Sequence, residues 1–428
     1  MTARYLAAAA LACSALASAA GAQTIAITGG KVYPVSGPPI ENGTVLIRDG
    51  RIAAVGTNVS IPADAQRIDA TGKVVTPGLV NPSTELGLVA VGFGGDANES
   101  NARTDSGLAP SFKSWDGLDP RSVYIAATRE DGITSNVTVP VGGLIAGQAA
   151  FIDLVNGTRE DMLLKAPAAM VGQINDNQSA HAGARGQLLG TLRSLLDDAK
   201  YYASHRAEFD RAQSRRLSVS RADLEAMVPV VQGRVPLLLE AEKASDIGAA
   251  LDLAKQYGIK LIIAGGAEAW MVADRIAAAK VPVLVGAMNN IPYSFTMLGA
   301  RQDNAALLRR AGVQVALIGN AGGGDEEMFN ARNIRYEAGN AVGYGMSWDD
   351  ALRAVTLAPA EMFGVADRVG SLQAGREANV VVWSGDPFEF ATRPTQVFVR
   401  GVLQHDVSRQ DLLTQRYKTL PPSYGKKE

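Results

Sequence analysis

Between Thr24 and Val75 the apolar positions fall in short runs, Ile25-Ala26-Ile27, Lys31-Val32-Tyr33, Thr44-Val45-Leu46-Ile47 and Arg51-Ile52-Ala53-Ala54-Val55, separated by Gly29-Gly30, Asn42-Gly43 and Asp49-Gly50. Asn-Gly and Asp-Gly tolerate positive φ and mark tight hairpins between strands. A small all-β unit is predicted. A matching pattern returns in Ala378-Asn379-Val380-Val381-Val382-Trp383 and Gln396-Val397-Phe398-Val399-Arg400-Gly401. Two terminal β segments around a long middle predict one β-sandwich built from both chain ends.

The middle alternates. Arg121 to Glu130 reads as a helix and Ile133 to Val139 as a strand. Gln187 to Phe209 places Leu188, Leu189, Leu192, Leu195, Leu196, Ala199 and Tyr202 at helical spacing. Strand-like Val235 to Leu239, Lys260 to Ala264, Val281 to Val285 and Val313 to Ile318 are separated by helical stretches around Ile247 to Tyr257, Trp270 to Ala279 and Asn304 to Ala311. Strict strand-helix order favours a parallel sheet covered by helices, here a (β/α)8 TIM-like barrel in an α/β chain. Val91 to Gly117, rich in Gly, Asn, Asp and Ser, reads as a long loop over the barrel mouth. Ser347 and Asp350 resemble a capping box, and Pro359 suits the start of the following helix.

Composition changes the picture at the N-terminus. After Arg4 the chain carries no charge from Leu6 to Ala20, and Ala20-Gly21-Ala22 offers the small residues a signal peptidase reads. The expected layout is a cleaved leader over 1–22, an N-terminal sandwich portion over 23–78, a barrel over 79–365, and a sandwich return with tail over 366–428. A periplasmic or secreted location follows from the leader. The one cysteine, Cys13, lies inside it, so the mature chain has no thiol ligand or disulfide. With 41 basic and 43 acidic residues and no basic stripe, nucleic acid is not an expected partner. No later uncharged run is long enough to span a membrane.

Three segments carry a family resemblance: Lys73-Val74-Val75-Thr76-Pro77-Gly78-Leu79-Val80, the helix start Ala267-Glu268-Ala269-Trp270 after a strand, and the tail from Asp367 to Trp383. Together they resemble the amidohydrolase superfamily, in particular its imidazolonepropionase-like branch, over nearly all of the mature chain. The resemblance implies hydrolysis of non-peptide carbon–nitrogen bonds by one or two divalent ions at the C-terminal ends of the barrel strands. It further implies a His-x-His after the first strand, histidines after the fifth and sixth, and an aspartate after the eighth. Ser83 and Glu85 stand at the His-x-His positions, Glu240 at the fifth-strand histidine, Gly265 at the sixth, and Asn320 at the aspartate. Every ligand position is changed. Lys165 is too weakly placed for the carboxylated lysine of some subgroups.

That substitution removes the chemistry the resemblance implies. Gly265 has no donor atom, and the Asn320 amide takes up no proton near neutral pH. The whole chain holds three histidines, His181 in a polar loop, His205 on the polar edge of a helix and His405 in the tail, and none ends a strand-like run. No zinc or other cofactor is expected, and no catalytic residue can be assigned. Glu85 and Glu240 could be held structurally, for instance by Lys243 or Arg301. They could instead join Asn320 in an oxygen-ligand cation site, or act as a metal-free carboxylate pair. The leading expectation is a pseudoenzyme that binds a small ligand, or pairs with an active homologous amidohydrolase subunit or with itself. The rival is a working hydrolase with an oxygen-ligand or metal-free site.

The leader sets a first test: intact mass spectrometry of the exported protein should give a chain starting at Gln23. A chain retaining Met1, or lipidated at Cys13, contradicts the assignment.

Overall fold

The computed structural model describes residues 24–90, 98–175, 183–288, 290–292, 294–319, 330–404 and 409–419. The expected leader and the positions of His181, Asn320 and His405 lie outside these residues.

Two eight-stranded sheets organise the chain. The first takes β1 (Thr24–Val32), β2 (Ile40–Arg48), β3 (Arg51–Gly56), β4 (Gln66–Asp69) and β5 (Val74–Pro77) from one end. From the other it takes β14 (Val380–Trp383), β15 (Pro394–Val399) and β16 (Val402–Leu403). β14 lies antiparallel between β15 and β5, with Val381 opposite Thr76. The sheet folds over a core of Ile25, Ile27, Val45, Ile47, Val380, Val382 and Phe398, so both chain ends share one hydrophobic interior. The sandwich read from the sequence is therefore formed by one wrapped sheet.

The second sheet is the barrel: β6 (Leu79–Thr84), β7 (Ile133–Thr138), β8 (Ile145–Asp153), β9 (Leu163–Gln173), β10 (Leu237–Ala241), β11 (Leu261–Gly265), β12 (Val283–Val285) and β13 (Val315–Leu317), hydrogen-bonded in that order. β13 comes round towards β6, where the Asn81 amide approaches Gly319. One strand departs from the expected all-parallel order: β8 runs antiparallel to both β7 and β9. Its nine residues are all buried, so no period-two signal distinguishes it in the sequence.

Alternation along the strands sorts the two layers of core. Leu238, Ile262, Ala264, Leu284, Ala316 and Ile318 fill the barrel interior. Their neighbours Leu237, Leu239, Leu261, Ile263, Val283, Val285 and Leu317 pack outward against the helices. The helix Arg185–Ser204 buries Leu188, Leu192, Leu195, Leu196, Ala199 and Tyr202 as its spacing requires. Ser347 caps the helix Trp348–Ala354 by accepting from the Asp350 N–H at 3.1 Å, and Pro359 sits in the first turn of Leu357–Met362. The stretch read as a loop over the mouth is largely irregular from 98 to 113 and lies along the start of β8, with Ala109 N–H donating to the Ile145 carbonyl. Among the described residues, no helix is long and apolar enough to cross a membrane.

The two sheets are joined by buried contacts. Trp383 is fully buried; its indole N–H donates to Thr76 Oγ1 at 2.8 Å, and its ring covers Gly132, where a β-carbon would lie 2.3 Å from Trp383 Cη2. Beside it, Arg400 Nε donates to Asp153 Oδ2 at 2.8 Å and to Glu377 Oε2 at 3.0 Å, while Arg368 Nε donates to Glu377 Oε1 at 2.9 Å. Asp153 also accepts from Ser135 Oγ and Asn379 Nδ2. Burial, outweighing the Arg400 charge, pushes the Asp153 carboxyl up to about 6.

Since β5 depends on β14 for one of its edges, a chain ending near Gly370 should expose that edge and the apolar faces behind it. Such a truncation is expected to aggregate or to lose cooperative melting in size-exclusion and thermal-unfolding measurements. A monomer with an unchanged melting curve contradicts the shared sheet.

Candidate functional site

The mouth of the barrel is formed where the parallel strands end. At the end of β6, the Asn81 side chain donates to the Ala331 carbonyl at 3.2 Å and accepts from the Ser83 N–H at 3.1 Å. Ser83, in the last residues of β6, is half-buried, and Glu85 follows the strand as a buried carboxyl side chain.

Glu240 continues the inward row of Leu238 on β10. Its Oε1 accepts from Asn175 Nδ2 at 3.1 Å, and Asn175 is itself fixed by the Arg185 guanidinium on its carbonyl at 2.9 Å. Burial raises the Glu240 pKa, only partly opposed by that amide. The cationic partners anticipated from the sequence are not what holds it. Arg301 instead pairs with Asp303 and stacks on Trp270, with its guanidinium carbon 4.7 Å from the ring centre. Lys243 serves as the N-cap residue of the helix Ala244–Tyr257. A short-range acidic partner and an aromatic face outcompete a cross-mouth ion pair because they require less desolvation of Arg301.

Gly265 ends β11 with φ +81°. The space beside it is filled. A β-carbon on residue 265 would lie 2.1 Å from Glu242 Oε1 and 2.7 Å from its carboxyl carbon. Glu242 is 7% exposed, and its Oε2 accepts from the Ala267 N–H at 2.8 Å. Burial, then the neighbouring charge of Glu240, push its pKa up to about 8. Glu268, whose charge adds to that effect, receives the Ala244 N–H on Oε2 at 3.0 Å and the Gly299 N–H on Oε1 at 3.1 Å. It thereby ties the helix start after β10 to the loop after β12.

The structure thus brings Glu240, Glu242 and Gly265 to adjacent strand ends, with Ser83 and Glu85 at the end of β6. Glu242 was missed in the sequence, although Glu240-Ala241-Glu242 carried a signal, since residues two apart on a strand share a face. Lys165 lies near the opposite end of β9, donating to the Phe363 carbonyl at 2.7 Å, away from the mouth. His205 caps the helix Arg185–Ser204, with Nδ1 2.9 Å from the Tyr201 carbonyl and its ring stacked on Tyr201. Among the described residues, no three His, Cys, Asp or Glu side chains form a group that could hold a metal ion. An open cleft of about 790 Å³ is lined by Trp270, Arg301, Asp303 and Tyr344, among others, and by none of Ser83, Glu85, Glu240 and Gly265.

Residues 303–403 match the amidohydrolase family. The whole barrel-and-sheet arrangement matches the crystal structure of an amidohydrolase from Thermotoga maritima MSB8 with a TM-score of 0.81 and 27% identity, covering 89% of this chain and 99% of that one. The chain belongs to the amidohydrolase superfamily. Imidazolonepropionase of Acidiphilium cryptum (strain JF-5) is 24% identical over 381 residues, covering 82% of this chain and 89% of the relative. Amidohydrolase tasK of Hapsidospora irregularis is 24% identical over 404 residues, and the chain spans only 40% of that longer protein's length. The chain is therefore imidazolonepropionase-like over about four-fifths of its length.

The raised pKa of Glu242 makes the stability of this protein depend on pH. Unfolded, the carboxyl ionises near 4.5, whereas folded it keeps its proton until about 8. Its contribution to stability is complete below the lower value and is lost as pH rises through the upper one, with a slope of up to about 1.4 kcal/mol per pH unit. Glu242→Gln should flatten the fall in melting temperature between pH 5 and 8 and leave the protein more stable than the parent at pH 9. Parallel curves for the two proteins contradict a neutral Glu242.

Proposed function

We propose that this amidohydrolase-fold protein no longer performs metal-dependent hydrolysis of non-peptide carbon–nitrogen bonds. It works instead by binding a small ligand at the barrel mouth or by pairing with an active homologous amidohydrolase subunit. The observation that carries this reading is the state of the strand-six position, where Gly265 offers no donor and a carboxyl fixed to the Ala267 N–H fills the adjoining space. A catalytic zinc needs three protein ligands near 2.0 to 2.2 Å and an open fourth position. Ser83, Glu85 and Glu240 replace imidazoles with a hydroxyl and two carboxyls, and Glu240 is engaged by Asn175. These residues do not fit the ion that active relatives use. The uncharged leader segment supports export, and ligand binding or pairing would then occur outside the cytoplasm.

A second reading has one observation in its favour. Glu240 and Glu242 are adjacent carboxyls with raised pKa values, and such pairs can act as acid and base without a metal. Hydrolysis that resists chelator and vanishes in Glu240→Gln would establish it.

The main reading makes a direct prediction. After dialysis, elemental analysis should find well below one zinc per chain, and added zinc, manganese or cobalt should not produce activity on simple lactams or acyl-amino acids. About one zinc per chain, removed by chelator together with measured hydrolysis, would falsify it.

A further inference from the structure

We infer that Glu242 and Gly265 form an interlocked pair, in which the Glu242 carboxyl occupies the space that any side chain at residue 265 would need on the strand-six side of the mouth. The inference goes beyond the proposed loss of metal chemistry and does not depend on it. Zinc content tests that proposal, whereas the linkage between two side-chain positions tests this one.

The geometry supports it from both directions. From Gly265, three atoms of the Glu242 carboxyl lie within 2.1 to 2.9 Å of where a β-carbon would stand, so no residue but glycine fits while Glu242 stays in place. From Glu242, the carboxyl is not swinging freely. The Ala267 N–H holds Oε2 at 2.8 Å, and the backbone is pinned where Glu268 N–H donates to the Glu242 carbonyl at 2.9 Å. The same turn is secured by Gly266 N–H on the Ala241 carbonyl at 3.0 Å and by Asn304 Nδ2 on the Gly266 carbonyl at 2.8 Å. Both chain segments at the contact are thus fixed by hydrogen bonds, and a larger residue 265 must displace the carboxyl.

Functionally, an occupant of the mouth cannot be gripped from residue 265. On the β11 side it meets the Glu242 carboxyl, and the other side chains at these strand ends are Glu240 on β10 and Ser83 and Glu85 at β6. The space beside residue 265 is filled by the protein's own side chain at the point where the family resemblance implies a ligand.

A double-mutant cycle on the full mature protein tests the pair. Gly265→Ala, Glu242→Ala and the combination are compared by chemical unfolding at pH 7. The positive φ at residue 265 strains alanine equally in both backgrounds and cancels from the cycle. The expected result is that Gly265→Ala lowers the folding constant at least tenfold less when Glu242 is already alanine. Additive effects overturn the inference. Should Gly265→Ala fail to fold, folding of the double variant supports the pair, and failure of both while Glu242→Ala folds normally overturns it.

Discussion

The pairing of β14 with β5 sets the frame for everything else. Val74–Pro77 is followed by one residue, Gly78, before the first barrel strand begins, so whatever fixes β5 also fixes where β6 enters the barrel. β14 supplies that constraint by a four-residue antiparallel ladder, continued where the Gly78 N–H donates to the Asn379 carbonyl at 2.9 Å. Gly78 has no room for a side chain, since a β-carbon there would run into Thr134 at 2.1 Å. Trp383, at the end of the same strand, then covers Gly132 just before β7. A single strand from the far end of the chain therefore registers the first two strands of the barrel.

Most of this architecture was legible in the sequence because it rests on periodicity and turn chemistry. The hairpin signal at Asp49-Gly50, the leucine spacing of Arg185–Ser204 and the strand-helix alternation from Val235 onward each correspond to an observed element. β8 was not legible, because a strand buried on both faces shows no alternation and its reversed direction leaves no trace in residue type. The candidate site was legible as a set of positions and not as a set of contacts. Glu240 and Gly265 were found, but Asn175 as the partner of Glu240 comes from the end of β9, some 65 residues away in sequence. Glu242 escaped because its importance lies in the emptiness of another residue.

The carboxyls at the mouth and those at the seam between the sheets illustrate opposite ways of burying acid. Asp153 and Glu377 share Arg400, and Arg368 adds a second cation, so at least one charge is compensated where the two halves meet. Among the described residues, no cation forms an ion pair with Glu242 or Glu240. At the mouth the Asn175 amide and the Ala267 N–H hold the acids and burial raises their pKa values, whereas the seam relies on ion pairing.

The sheet shared by both chain ends also bears on the order of assembly. The partners of β5 and β14 are separated by about 300 residues, a long-range contact of the kind that slows folding. During synthesis β1 to β5 emerge first, yet one edge of β5 has no strand to pair with until the barrel has been made and Val380 has followed it. The N-terminal strands are thus made long before their sheet can be completed, and their unpaired edge is the segment most in need of shielding until then.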